Sequence, residues 1–141
     1  MHKMKIKFKL MAGGFPPVAG HGDWIDLRAR KSIRFKKGEY WRIPLGVAVQ
    51  LPEGYEAMLC LRSSTPERYG VIQANAPGII DEAYCGENDE LMLAVVALCT
   101  NEIPEGARIA QMRIFPKQNV ELEQVEKLWN PDRGGFGSTG R

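Results

Sequence analysis

The 141 residues carry 19 Lys and Arg against 17 Asp and Glu, a net charge of +2, with 44% hydrophobic residues and three cysteines. That length fits one domain with a real core and is too short for two. No apolar run approaches the roughly 18 residues of a membrane-spanning helix. Cys60, Cys85 and Cys99 lie far apart with no C-x-x-C pair, which argues against a zinc site and, with no signal peptide read at the start, for a soluble chain in a reducing, cytoplasmic setting.

Eleven of the basic residues and only three acids fall in the first fifty positions. This asymmetry is not read as a nucleic-acid surface. Lys3, Lys5, Lys7 and Lys9 alternate strictly with Met4, Ile6, Phe8 and Leu10, the period of a strand with one solvated lysine face that also discourages edge-to-edge pairing. Residues 11–22 hold four glycines and two prolines and are expected to form a loop. In the following stretch, Ile25 and Leu27 alternate with Asp26 and Arg28, so a short strand would turn Asp26 away from its apolar neighbours, toward solvent.

Short strands are expected over residues 32–35, 40–43, 47–51 and 57–61, broken by Lys37-Gly38-Glu39, Pro44-Leu45-Gly46 and Pro52-Glu53-Gly54. This spacing predicts an all-β sandwich or jelly roll. Arg62-Ser63-Ser64 then offers a cation and two hydroxyls before the one short helical start, at residues 66–69, where free N–H groups suit an anion. Ala76-Pro77-Gly78 reads as a turn between Val71-Ile72 and Ile79-Ile80, with Asp81, Tyr84 and Gly86 close behind. Residues 91–98 are almost continuously apolar, as in a strand buried on both faces, and residues 101–106 turn the chain. In residues 108–114 the apolar positions do not keep one parity, which predicts a bulge or a switch of face near Gln111. From Trp129 onward the chain is glycine-rich and aperiodic, disordered by itself.

Five segments, residues 22–27, 62–64, 75–86, 106–112 and 133–140, resemble the motifs of the trimeric dUTPases in that family's order. GIIDEAYCGE and RGGFGSTG are the most specific. Asp23-Trp24-Ile25 and the shortened last motif look like the Bacillus and bacteriophage branch. The resemblance implies a distorted jelly roll over residues 1–141, with residues 129–141 as a mobile lid, assembled as a homotrimer with three shared sites. It implies hydrolysis of dUTP at the α-phosphorus to dUMP and pyrophosphate, limiting uracil in DNA and supplying dUMP for thymidylate synthesis.

The implied roles follow residue by residue. Asp81 would hold and polarise the attacking water, and Tyr84 would lie against the deoxyribose. Asn75, with the hairpin backbone around Gly78 and Ile80, would read uracil. Arg62, Ser63, Ser64 and Gln111 would bind the triphosphate, whose Mg²⁺ would be contacted by Asp26 through water. Arg133 would close over the phosphates, Phe136 and Gly137 over the base, and Ser138 and Thr139 on the terminal phosphates. Two alternatives accompany this reading. One is a dCTP deaminase, or a bifunctional one that also removes pyrophosphate, disfavoured because residues 91–98 contain no acid; the other is a phage-type regulatory protein acting on a protein partner.

Overall fold

The computed structural model describes residues 3–138 and Gly140. In chain order it contains β1 (Lys7–Leu10), β2 (Ile25–Arg28), β3 (Ile33–Phe35), β4 (Tyr40–Gln50), β5 (Tyr55–Leu61), α1 (Thr65–Tyr69), β6 (Val71–Gln73), β7 (Gly78–Ile80), β8 (Glu90–Ala97), β9 (Asn101–Ile103) and β10 (Arg108–Pro116). Two four-stranded sheets, ordered β1-β4-β8-β6 and β2-β10-β5-β7, are accompanied by the small pair β3-β9. Every described pairing is antiparallel.

The core lies between the inner faces of the sheets. Ile43, Leu45, Val47, Leu91, Leu93 and Val95 come from the first sheet, and Leu27, Leu59, Ile109 and Met112 from the second. Each is essentially inaccessible to water, and burying a side chain of this size stabilises the fold by about 1.5–3 kcal/mol. The one helix among the described residues, five residues long, stops at Gly70, whose φ of 68° is the left-handed conformation that glycine accepts at a helix end. A Cβ there would also strike the Cys99 sulfur.

Several expectations are corrected. The strands expected at residues 40–43 and 47–51 are one strand, because Pro44 and Gly46 sit in an irregularity of register between Pro44 and Ala48 rather than in a turn. Residues 101–103, expected as turn, form β9 against β3. The bulge in β10 falls between Arg108 and Ala110; beyond it Ala110, Met112 and Ile114 share one parity, with Ala110 and Met112 buried. The runs flanking Ala76-Pro77-Gly78 do not pair with each other: β6 joins β8, while β7 joins β5. The segment is therefore a crossover between sheets, not a hairpin, and its Ala76–Pro77 peptide is cis.

Strand β8 is buried on one face only. Leu91, Leu93, Val95 and Ala97 face the core, whereas Met92 is 42% exposed. Likewise the apolar face of β1 is not covered within the chain, since Phe8 and Leu10 are both exposed.

Because Leu93 is completely enclosed, Leu93→Ala should lower stability by about 2–5 kcal/mol through lost burial and a residual cavity. Urea unfolding at fixed chain concentration measures this, and an unchanged midpoint would contradict the core described here.

Candidate functional site

Strand β10 is hydrogen-bonded to β2 on one edge and β5 on the other, and Gln111 is opposite Asp26 in one neighbour and Cys60 in the other. This places Asp26, Gln111 and the end of β5, from which Arg62-Ser63-Ser64 departs, at one location. Asp26 is not solvent-facing as strand alternation predicts: its side chain is only 13% exposed. Its Oδ2 lies 3.4 Å from Arg62 Nε and 3.3 Å from Arg108 Nη1. Two guanidinium charges against one carboxylate leave the cluster with an excess of positive charge, suited to an anion.

The loop carrying Arg62 is fixed through its backbone. The Ile109 carbonyl, at the β10 bulge, accepts the Arg62 N–H at 3.2 Å and the Thr65 hydroxyl at 2.7 Å. Arg62 Nη1 donates to the Arg108 carbonyl at 3.2 Å, and Gln111 Nε2 donates to the Leu61 carbonyl at 3.0 Å. Ser64 is the N-cap of α1 but makes no side-chain capping bond, and Ser63 is exposed. Their hydroxyls are thus not committed to the helix.

A second group lies apart from the first. Asn75, Gly78, Ile79, Ile80, Asp81 and Tyr84, with Leu59, Leu91 and Met92, line a cavity of about 230 Å³. That is smaller than the few hundred Å³ of a site enclosing a whole drug-sized ligand, so it suits part of one. None of Asp26, Arg62, Ser63, Ser64 or Gln111 lines it. Gly78 pairs with Leu59 where β7 lies along β5.

Gln73 fastens the two sheets beneath this crossover, donating to the Leu59 carbonyl at 2.8 Å and accepting the Leu61 N–H at 3.2 Å. Asp81 is exposed; its Oδ1 accepts the Ala83 N–H at 2.7 Å and its carbonyl accepts the Tyr84 N–H, a local turn that fixes the carboxylate. The Tyr84 hydroxyl donates to the Glu90 carbonyl at 2.7 Å. Burial foremost, then the negative charges of Asp89 and Glu90, hold its phenol above the ordinary range.

The tail joins neither group. Arg133, Phe136, Gly137 and Ser138 are exposed, and Thr139 lies outside the described residues. Of the residues proposed from sequence, the fold therefore assembles Asp26, Arg62 and Gln111 with the Ser63-Ser64 loop in one place, and Asn75, Gly78, Ile80, Asp81 and Tyr84 in another. Arg108, Thr65, Gln73 and Glu90 were missed. Arg108 alone had a visible signal, being a cation on the same short strand as Gln111.

The dUTPase family profile matches residues 19–140. The chain belongs to the dUTPase family. A prophage-derived deoxyuridine 5′-triphosphate nucleotidohydrolase of Bacillus subtilis is 52% identical over 120 residues, covering 84% of each chain. A deoxyuridine 5′-triphosphate nucleotidohydrolase of Anaeromyxobacter is 41% identical, covering 83% of this chain and 80% of that one. Among solved structures, Staphylococcus bacteriophage 80alpha dUTPase with dUPNHPP is similar in fold, with a TM-score of 0.81 at 24% identity over 97% of this chain and 99% of that one. A mutant dUTPase from phage phi11 of S. aureus, described with a structural Mg(II) ion, gives 0.77 at 22% identity over 88% and 98%.

The raised phenol pKa means that Tyr84 stays neutral, and remains a donor to Glu90, through the pH range where an ordinary tyrosine loses its proton near 10. The associated stability is fully present below pH 10 and is lost only as pH rises through the higher folded value. Tyrosinate absorbance should therefore show a late-titrating phenol that disappears in Tyr84→Phe; an unaltered titration would contradict this.

Proposed function

We propose that the chain hydrolyses dUTP at the α-phosphorus, giving dUMP and pyrophosphate, with the base and sugar in the Asn75–Tyr84 cavity and the triphosphate on the Arg62–Gln111 cluster. Membership of the dUTPase family makes the reaction dUTP hydrolysis. The observation that supports the residue assignment best is the cavity with Asp81 and Tyr84 together in its lining.

In this reading Tyr84 is the wall against which deoxyribose packs, so that a 2′-hydroxyl would collide with it. Asn75 and the backbone around Gly78 and Ile80 face the uracil edge, and the close-fitting crossover leaves no room for the methyl of thymine. Asp81 orients the attacking water and accepts its proton as the new oxygen–phosphorus bond forms and pyrophosphate leaves. An ordinary carboxylate is a weak base, so the turn that fixes it contributes through position.

Arg62, Ser63, Ser64 and Gln111 bind phosphate oxygens. Arg133 closes over them and adds positive charge as negative charge develops on the leaving group. Phe136 and Gly137 cover the base, and Ser138 and Thr139 reach the terminal phosphates. Among the described residues no group of three His, Cys, Asp or Glu could hold a metal, and Asp26 is a single carboxylate already shared by two arginines. That donor set fits Mg²⁺ brought by the triphosphate and touched by one carboxylate through water. When bound, the ion neutralises phosphate charge.

The separation of the two groups, the exposed tail and the uncovered apolar faces of β1 and β8 together support a homotrimer. One subunit supplies Arg62 and Gln111, a second supplies the cavity, and a third supplies residues 129–141 as a lid. The enzyme works in the cytoplasm on free nucleotide. No helix among the described residues is long and apolar enough to cross a membrane.

Pyrophosphate release should occur with dUTP and not with dCTP, dTTP or UTP, without ammonia, and should cease on chelation of Mg²⁺; release from dCTP with ammonia would replace this reading by a deaminase. Asp81→Asn should lower kcat by about 10²–10⁴-fold with dUTP affinity nearly intact, the range for a lost general base. Deletion after Pro131 should weaken both affinity and turnover. Mixing these two impaired variants under exchange conditions should restore part of the activity, because a site can then take Asp81 and the tail from different chains. No recovery, despite exchange seen by mass, would sink the shared site.

A further inference from the structure

Thr65 and Glu90 are the buried polar residues of the described chain, and the position of Glu90 bears directly on the sugar wall. Its carboxylate is 8% exposed. A buried charge is costly unless paired and hydrogen-bonded on each oxygen. Here Oε2 accepts from Arg30 Nε at 2.8 Å and from the Gly46 N–H at 2.8 Å, while Oε1 is 3.3 Å from Arg30 Nη2.

Both partners are themselves held. The Arg30 N–H donates to the Pro44 carbonyl, and the Gly46 carbonyl accepts the Met11 N–H. Gly46 has φ 77°, and a Cβ on it would approach the Gly14 Cα to 2.7 Å. The carboxylate thus pins Glu90 to the irregular part of β4. The carbonyl of this same residue receives the Tyr84 hydroxyl at 2.7 Å. The next two residues, Leu91 and Met92, line the cavity beside Tyr84.

We propose that Glu90 is a positioning residue for sugar discrimination: its clamped carboxylate fixes the height of its own carbonyl, and this carbonyl holds the Tyr84 ring where a ribose 2′-hydroxyl collides with it. The proposal rests on the reading of Tyr84 as the deoxyribose wall. A carboxylate held at both oxygens by groups on two other segments cannot swing with the exposed loop at residues 85–88. The ring anchored to its backbone therefore keeps its place when that loop moves. Without this anchor the ring would yield to an extra hydroxyl, and selectivity would fall before affinity for dUTP does.

The test is the ratio of kcat/KM for dUTP to that for UTP in the full-length enzyme. Glu90→Gln keeps the side-chain shape but removes the charge that holds Arg30, and should reduce the ratio about tenfold, chiefly by raising kcat/KM for UTP relative to dUTP. Tyr84→Phe, which keeps the ring and removes only its anchor, should reduce it by a similar factor. The double variant should be no less selective than Tyr84→Phe alone, because both changes break one linkage. A Glu90→Gln enzyme that loses activity equally on both substrates, or independent effects in the double variant, would overturn the proposal. If Glu90→Gln fails to fold, Tyr84→Phe decides, since an unchanged ratio there removes the link between ring and carbonyl. Tyr84→Ala separates the two readings: an unchanged ratio means that Tyr84 is not the sugar wall, whereas a lowered ratio with Glu90→Gln at wild-type selectivity means that only the role of Glu90 is wrong.

Discussion

The pairing of β10 with β2 on one edge and β5 on the other is the constraint on which the Arg62–Gln111 cluster depends. Residues 26, 62 and 111 are far apart in sequence, and only this register brings them together. The bulge between Arg108 and Ala110 is part of the device. It turns the Ile109 carbonyl to a position where one acceptor takes both the Arg62 N–H and the Thr65 hydroxyl. A shift of register by one residue would reverse every side chain of β10, removing Met112 from the core and Gln111 from the cluster at once. The apolar packing that stabilises the sheet thereby also fixes the spacing of the cationic groups.

The same economy appears among the buried polar groups. No buried side-chain nitrogen or oxygen lacks a partner among the described residues, and the two buried polar residues each serve a loop next to the site. Thr65 anchors the turn after Arg62, and Glu90 anchors the start of β8. Each would be destabilising if left unpaired, so the folded chain favours the arrangement in which loop and strand stay together. Gln73 does the same between sheets, replacing the pairing that β6 and β7 do not make with each other.

Much of this was legible from the chain itself. Alternation located most strands, and glycine and proline located many of the breaks, because those signals are local. The misses share one cause. Pro44 and Gly46 look like a turn, yet pairing with β8 before them and with β1 after them carries them as an irregularity within one strand. Asn101–Ile103 has no strand pattern and is one only because Ile33–Phe35 lies beside it. Asp26 reads as solvated by alternation, and its burial depends on Arg62 and Arg108 arriving from elsewhere. The pairing partners of residues 71–73 and 78–80 are likewise tertiary, so a turn sequence between two apolar runs was read as a hairpin. At the candidate site, the residues named from family resemblance fall into two groups, whereas the residues that hold those groups in place could not be named in advance, since Thr65, Gln73 and Glu90 have no distinctive spacing.

The proposed division of the site between subunits gives a reason for the way the last part of the chain is built. Between Pro116 and Arg133 an extended backbone spans at most roughly 55–60 Å, enough to leave its own sheets and reach a neighbour. Along it Val120 and Leu122 alternate with Glu121 and Glu123, and all four are exposed in the isolated chain. Such a segment gains stability only by covering another surface. Fixing each backbone residue costs about 1–2 kcal/mol, and the glycines near its end make that cost larger for the last residues. In the proposed trimer the apolar arm meets this cost by permanent burial on the neighbouring subunit, which leaves only the short piece from Arg133 onward to order with substrate. Binding energy from base and triphosphate is then applied to closing a few residues rather than an entire tail, so the lid can open for release without the assembly coming apart.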